Sequence, residues 1–237
     1  ISFIVTVALL LTAIAGLIFS ESIRPFLYSA FITAITGTGL ICFTKGQSKD
    51  EAIHRKDAFV SVAVSWLFIC ITGSLPYLFS SAIPSFVDAF FESVSGFTTT
   101  GSSILTDIEI LPKSILLWRS LTHWIGGIGI IVLFIVIMPA LHEGNYHLFI
   151  LESSFQEKIQ PRIRAVGRQL LVIYLILTAA ETILLLVGGM NLFESLCHAF
   201  GTVATGGFSP KNSSIGGYSP YIQYVVMLFM LLAGMNF

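Results

Sequence analysis

The chain has 237 residues, 55% hydrophobic and 11% charged, and its mean hydropathy of +0.88 excludes a soluble globular domain. Lys/Arg and Asp/Glu nearly cancel to a net charge of −1, which argues against a nucleic-acid partner. Cys42, Cys70 and Cys197 stand singly in or beside apolar runs, so they read as small buried residues and not as a transition-metal site.

A helix needs about 20 mostly apolar residues to cross the hydrocarbon core of a bilayer. Residues 2–20 and 26–44 supply the first two spans. No basic segment precedes the first, so it does not read as a cleaved signal peptide. A basic loop follows at 45–57, with Lys45, Lys49, Arg55 and Lys56, and then a third span at 58–79. Residues 86–97 are apolar but too short to cross, and they lead into an uncharged run of threonine, glycine and serine. The fourth span, 114–138, carries Gly126, Gly127 and Gly129. With no strand before them, these glycines read as a surface for close helix approach and not as a phosphate loop.

Residues 139–168 mix apolar residues with Lys158, Arg162, Arg164 and Arg168. They read as an amphipathic linker along the membrane surface, with His142 and His147 solvated. A fifth span covers 169–189, a second short apolar segment covers 192–203, and a sixth span starts near 221. Beginning at Ile1 and stopping at Phe237 within an apolar run, the sequence reads as part of a longer protein.

Basic residues mark the cytoplasmic side. Loops 45–57 and 139–168 are therefore cytoplasmic, with only Arg24, Lys113 and Lys211 left for the other side. Spans 58–79 and 114–138 already separate those two loops. An even number of crossings then requires segment 86–97 to enter and return on the outer side.

The two short segments align at an offset of 106 residues, with "SFVDAFFESVSGFTTTGSS" over "NLFESLCHAFGTVATGGFS". Ser85 falls over Asn191 and Asp88 over Glu194, and each pair has the form of a helix N-terminal cap. Thr99 falls over Thr205 and Gly101 over Gly207. A helix of about 12 residues rises roughly 18 Å, enough to reach mid-bilayer. Its C-terminal end then points inward, where the negative end of the dipole favours a cation. Non-helical backbone at that depth must be buried or line a water-filled cavity. Threonine and glycine suit the second case, because their carbonyls can turn inward to replace the water shell of an ion.

These residues resemble a known family. "DAFFESVSGFTTTGSS", "WRSLTHWIGGIGIIVLFIVIMPAL" and "FESLCHAFGTVATGGFS" are similar to the Trk/Ktr/HKT potassium transporters, and to the TrkH type in particular. The resemblance implies an all-α polytopic membrane protein of repeated span–pore helix–filter–span units, as in potassium channels. Residues 1–44 would be an extra N-terminal helix pair. Residues 45–138 would be a first pore unit, with span 58–79, pore helix 85–97, filter 98–102 and span 114–138. After the linker 139–168, residues 169–237 would be a second, incomplete unit, with span 169–189, pore helix 191–203, filter 204–208 and the start of a last span, 221–237.

By the same resemblance, K⁺ binds at Thr98, Thr99, Thr100, Gly101 and Ser102 in the first filter segment. In the second it binds at Ala204, Thr205, Gly206, Gly207 and Phe208. The family implies potassium uptake through a channel-like pore in the bacterial inner membrane, without an organic cofactor. It also implies a homodimer with one pore per protomer, and cytosolic nucleotide-binding regulatory subunits of the TrkA type.

Charges within spans are functional candidates by default. Arg119 lies about 9 Å, and Glu181 about 12 Å, from the outer ends of their helices at the usual helical rise. Matched depth pairs them in a structural ion pair, with Glu92 as the competing partner of Arg119. His123 and His198 read as packed, hydrogen-bonded residues. An enzyme is disfavoured: Ser95, His123 and Glu92 belong to no G-x-S-x-G or H-E-x-x-H motif. The alternative function is a broken-helix secondary transporter of another small solute. Such transporters usually carry inverted repeats, whereas both short segments here enter from the same side.

Overall fold

The structure is a computed structural model that describes residues 2–44, 55–142 and 156–235. Among these residues eight helices follow one another: α1 (Ser2–Ile18), α2 (Arg24–Thr44), α3 (Arg55–Phe79), α4 (Phe86–Phe97), α5 (Lys113–His142), α6 (Gln156–Val187), α7 (Leu192–Val203) and α8 (Pro220–Gly234). Among the described residues, three stretches are long and apolar enough to cross a membrane: Arg24–Cys42, Phe59–Phe79 and Ala165–Val187. The helix α1 has 17 residues, at the lower limit for a crossing. With 12 residues each, α4 and α7 rise roughly 18 Å and fall short of the core thickness.

The central element is α5, which packs on α1, α3, α4, α6 and α7. Its approach to α4 depends on Gly126, where an added Cβ would land on the Phe97 carbonyl. On the opposite flank of the first unit, Ser93 donates its hydroxyl to the Cys70 carbonyl at 2.8 Å, and Trp118 donates its indole N–H to the Gly73 carbonyl at 3.0 Å. Thr12, Ser29 and Thr33, all buried, each donate to a carbonyl one turn earlier on their own helix at 2.7–2.8 Å. That arrangement satisfies hydroxyls where no water is at hand.

The long helices overrun the spans expected from hydropathy. The helix α6 begins at Gln156 and has 32 residues, so it rises about 48 Å against a core of about 30 Å. The end of an apolar run marks where a helix leaves lipid, not where its hydrogen bonding stops. Residues 139–142 and 156–168 of the expected linker are therefore helical. Residues 143–155, with His147, lie outside the described residues, as do 45–54 of the basic loop.

The turns that join the short helices meet on one face. Ile108 donates its backbone N–H to Asn212 Oδ1 at 2.8 Å, and the Asn212 amide donates to Asp107 at 2.8 Å. Glu21 caps α5, accepting the backbone N–H groups of Lys113 and Ser114 at 2.8 and 2.9 Å. If this face is extracellular, a membrane-impermeant thiol reagent should label Asp107→Cys from outside and Lys49→Cys only after permeabilisation, in a background without native cysteines. Outside labelling at both positions would overturn the parity argument.

Candidate functional site

The two short helices are built alike from end to end. Ser85 holds extended backbone at φ −79°, ψ 128°, and its hydroxyl accepts the Asp88 N–H at 3.4 Å; Asn191, at φ −69°, ψ 158°, accepts the Glu194 N–H at 2.9 Å. At the far ends, Thr100 N–H donates to the Ser95 carbonyl at 3.0 Å and Thr99 N–H to Gly96 at 3.1 Å. The equivalent bonds run from Gly206 to Gly201 at 2.8 Å and from Thr205 to Thr202 at 2.9 Å. This is the Schellman termination, which normally places glycine in the left-handed position. Here threonine occupies it twice, with φ 54° at both Thr99 and Thr205. A β-branched residue in that region is a true outlier and costs about 1–3 kcal/mol.

Two residues later the backbone turns left-handed again, at Gly101 (φ 78°) and Gly207 (φ 95°). Among the described residues, no backbone N–H donates to the carbonyls of residues 98–101 or 204–207. Each helix thus ends in a short strained segment whose carbonyls take no backbone N–H, at the negative end of its dipole. The segments are neighbours, since a Cβ on Gly101 would land on the Gly206 carbonyl. In the first segment the Thr98 hydroxyl donates to the Val94 carbonyl at 2.7 Å and meets the Thr100 hydroxyl at 2.8 Å.

The second segment departs from the first for a local reason. Gly206 stands where the first has Thr100, because the His123 ring from α5 fills the space of its side chain. His123 donates Nδ1–H to the Gly96 carbonyl at 2.8 Å and stacks on Phe208, with ring centroids 4.0 Å apart and 9° between planes. Gly207 faces open space, with no atom within 4 Å of an added Cβ. It borders a cavity of about 360 Å³ whose lining includes Thr202, Thr205, Phe208 and His198.

Arg119 does not pair with Glu181. It takes the competing partner, Glu92, with Nε to Oε1 at 2.8 Å and both side chains buried. Glu181 is also buried, and neither of its oxygens has a hydrogen-bond partner among the described residues. Equal depth left open the direction each side chain takes around its helix, and α4 packs directly against the Arg119 face of α5.

The sequence reading missed the residues that surround this pair. Ser103 donates to Glu92, Ile104 N–H reaches the same carboxylate, and Arg119 reaches both Ser103 and the Ser209 carbonyl. The only available signal was that Ser103 and Ser209 are equivalent under the 106-residue offset. Above the segments, Tyr218 donates its hydroxyl to Glu194 at 2.9 Å. Burial first, and then Glu194, raise the Tyr218 phenol pKa and keep it a donor.

Known proteins resemble this chain in sequence and overall fold. A family model described as TrkH, cation transport protein, matches residues 23–237. The Trk system potassium uptake protein TrkH of Escherichia coli (strain K12) is 34% identical over 234 residues, covering 97% of this chain and 48% of the relative. The Trk system potassium uptake protein TrkI of Halomonas elongata is 40% identical over 182 residues, covering 76% of this chain and 37% of the relative. The crystal structure of the potassium transporter TrkH from Vibrio parahaemolyticus superposes with a TM-score of 0.82 at 32% identity, covering all of this chain and 48% of that one. The chain spans about half the length of the curated TrkH relatives it matches. It is an all-helical, multi-pass membrane protein, and it belongs to the TrkH family of cation transport proteins.

Proposed function

We propose that this chain supplies two adjacent walls of a potassium-selective pore, and that the whole protein takes up K⁺ across the bacterial inner membrane. Residues 98–102 and 204–208 are the filter segments, and the transported ion is K⁺ with no organic cofactor. One observation carries the reading: the same strained, left-handed termination occurs twice, side by side, and leaves eight backbone carbonyls without a backbone N–H donor among the described residues. Such carbonyls replace the hydration shell of an ion whose water is loosely held. The similarity to potassium uptake proteins of the Trk system supports K⁺ as that ion. Two further walls belong to the rest of a longer protein. Loops 45–57 and 139–168 face the cytoplasm, where nucleotide-binding subunits of the TrkA type dock on a homodimer.

Gly207→Ser in the full-length protein tests the filter role. Its φ of 95° disfavours any side chain, while its surroundings leave room for one. The cost is therefore conformational, about 1–2 kcal/mol, and turns one carbonyl away from the ion path. K⁺ affinity should fall roughly tenfold and the Na⁺/K⁺ uptake ratio should rise. Gly234→Ser, in α8 with open space around it, is the control. Unchanged affinity and ratio in Gly207→Ser would remove the second segment from the filter.

A further inference from the structure

We propose that Arg119, anchored by Glu92, is a positioning residue that holds the two filter segments at a set spacing and so tunes the preference between K⁺ and Na⁺, a role that rests on the filter reading above. Glu92 lies on α4, six residues before the first segment. Its carboxylate accepts the Ser103 hydroxyl at 3.0 and 3.1 Å and the Ile104 N–H at 3.1 Å, which ties down the chain just past that segment. Arg119 Nε closes on the same carboxylate at 2.8 Å.

The rest of the guanidinium reaches both ways. Nη2 donates to the Ser103 hydroxyl at 3.2 Å, and Nη1 donates to the Ser209 carbonyl at 3.3 Å. Its central carbon lies 4.0 Å from the centroid of the Phe208 ring. One planar group thus touches the exit of the first segment and the exit of the second, at equivalent positions of the repeat. His123, one turn further along α5, adds the stacking contact on Phe208.

Stability alone is a weak reason for such a pair. A fully buried ion pair often contributes no more than apolar residues of the same volume. A rigid fork of donors does something apolar residues do not: it fixes two backbones relative to each other. The device is also asymmetric. At the same offset the second unit has His198 in place of Glu92 and Val225 in place of Arg119, so only the contact between the first and second segments carries it among the described residues.

The test uses the full-length protein in potassium-starved cells, with Na⁺/K⁺ uptake competition measured at matched amounts in the membrane. Arg119→Lys retains a cation for Glu92 but replaces the fork with a compact ammonium that reaches one segment only. The neutral double variant Arg119→Gln with Glu92→Gln avoids leaving a buried charge unpaired. Both are expected to reach the membrane and to raise the relative Na⁺ uptake about tenfold, the scale of a charged hydrogen bond. A purely structural pair would lower uptake of both ions in proportion, with the ratio unchanged, and that outcome overturns the proposal. Absence of both variants from the membrane overturns it too, since the pair would then serve folding. Gly207→Ser, run in parallel, separates the two readings. If it shifts the ratio and the Arg119 variants do not, the filter stands and the positioning role falls. If none of the three shifts it, both fall.

Discussion

Gly101→Ala is expected to abolish potassium uptake by the full-length protein while leaving it in the membrane. Two effects act together at this position. The backbone is left-handed, at φ 78°, which costs a residue with a Cβ about 1–2 kcal/mol. The new methyl would also land on the carbonyl oxygen of Gly206, and that oxygen is backbone in the neighbouring segment. A flexible side chain could swing aside, but a carbonyl moves only by turning its peptide plane. Both segments must then shift, and the carbonyls that would face the ion shift with them. Gly207→Ala meets only the first effect, because nothing lies within 4 Å of its added Cβ. Uptake in Gly101→Ala should therefore fall below that of Gly207→Ala by at least about tenfold, the equivalent of 1.4 kcal/mol. Growth on limiting potassium, with protein quantified in the membrane, measures this directly. Wild-type growth of Gly101→Ala would show that contact between residues 101 and 206 does not matter to the ion path.

Gly126→Leu should act on the fold instead, and remove most of the protein from the membrane. Gly126 is the point at which α5 touches the end of α4: an added Cβ would overlap the carbonyl of Phe97, with the Phe97 carbonyl carbon at 2.8 Å and its Cα at 3.1 Å. Overpacking a core against movable side chains costs about 1–3 kcal/mol, and here the obstacle is again backbone. Moving α5 off α4 would also separate Arg119 from Glu92, leaving two buried charges without partners. Destabilisation of even 1–2 kcal/mol changes abundance several-fold in cells. Gly39→Leu is the matched control, since α2 leaves open space at that glycine. Equal abundance of the two variants would show that the α4–α5 contact tolerates separation.

Much of this protein is legible in its sequence, because the relevant physics is local. Chain-wide hydropathy identifies a membrane protein, and its apolar runs fall on helices, three of which are, among the described residues, long and apolar enough to cross. The caps at Ser85 and Asn191 and the glycines at 101 and 207 depend on residues a few positions apart, so an internal alignment finds them. Gly126 and Gly127 announce close helix packing by composition alone. The left-handed threonines were less accessible. Helices usually end on glycine at that position, and Thr99 and Thr205 instead adopt it because the tertiary structure holds them there.

What only the tertiary structure decided concerns direction and distance between elements. Helical rise sets the depth of Arg119 and Glu181 in their helices, but depth does not say which way a side chain faces. The packing of α4 on α5 brings Glu92 to Arg119 and leaves Glu181 elsewhere, buried without a partner among the described residues. The exchange of Thr100 for Gly206 looks like decay of a motif when read along the chain. In space it makes room for the His123 ring, which comes from a helix in the other half of the repeat. The helix boundaries differ for a similar reason: hydropathy reports the lipid boundary, while α6 continues past it on its own backbone hydrogen bonds. Periodicity and spacing thus determined the elements of this chain and their repetition. Contacts between residues about 20 to 100 positions apart, which no local pattern encodes, determined how the two segments stand against each other.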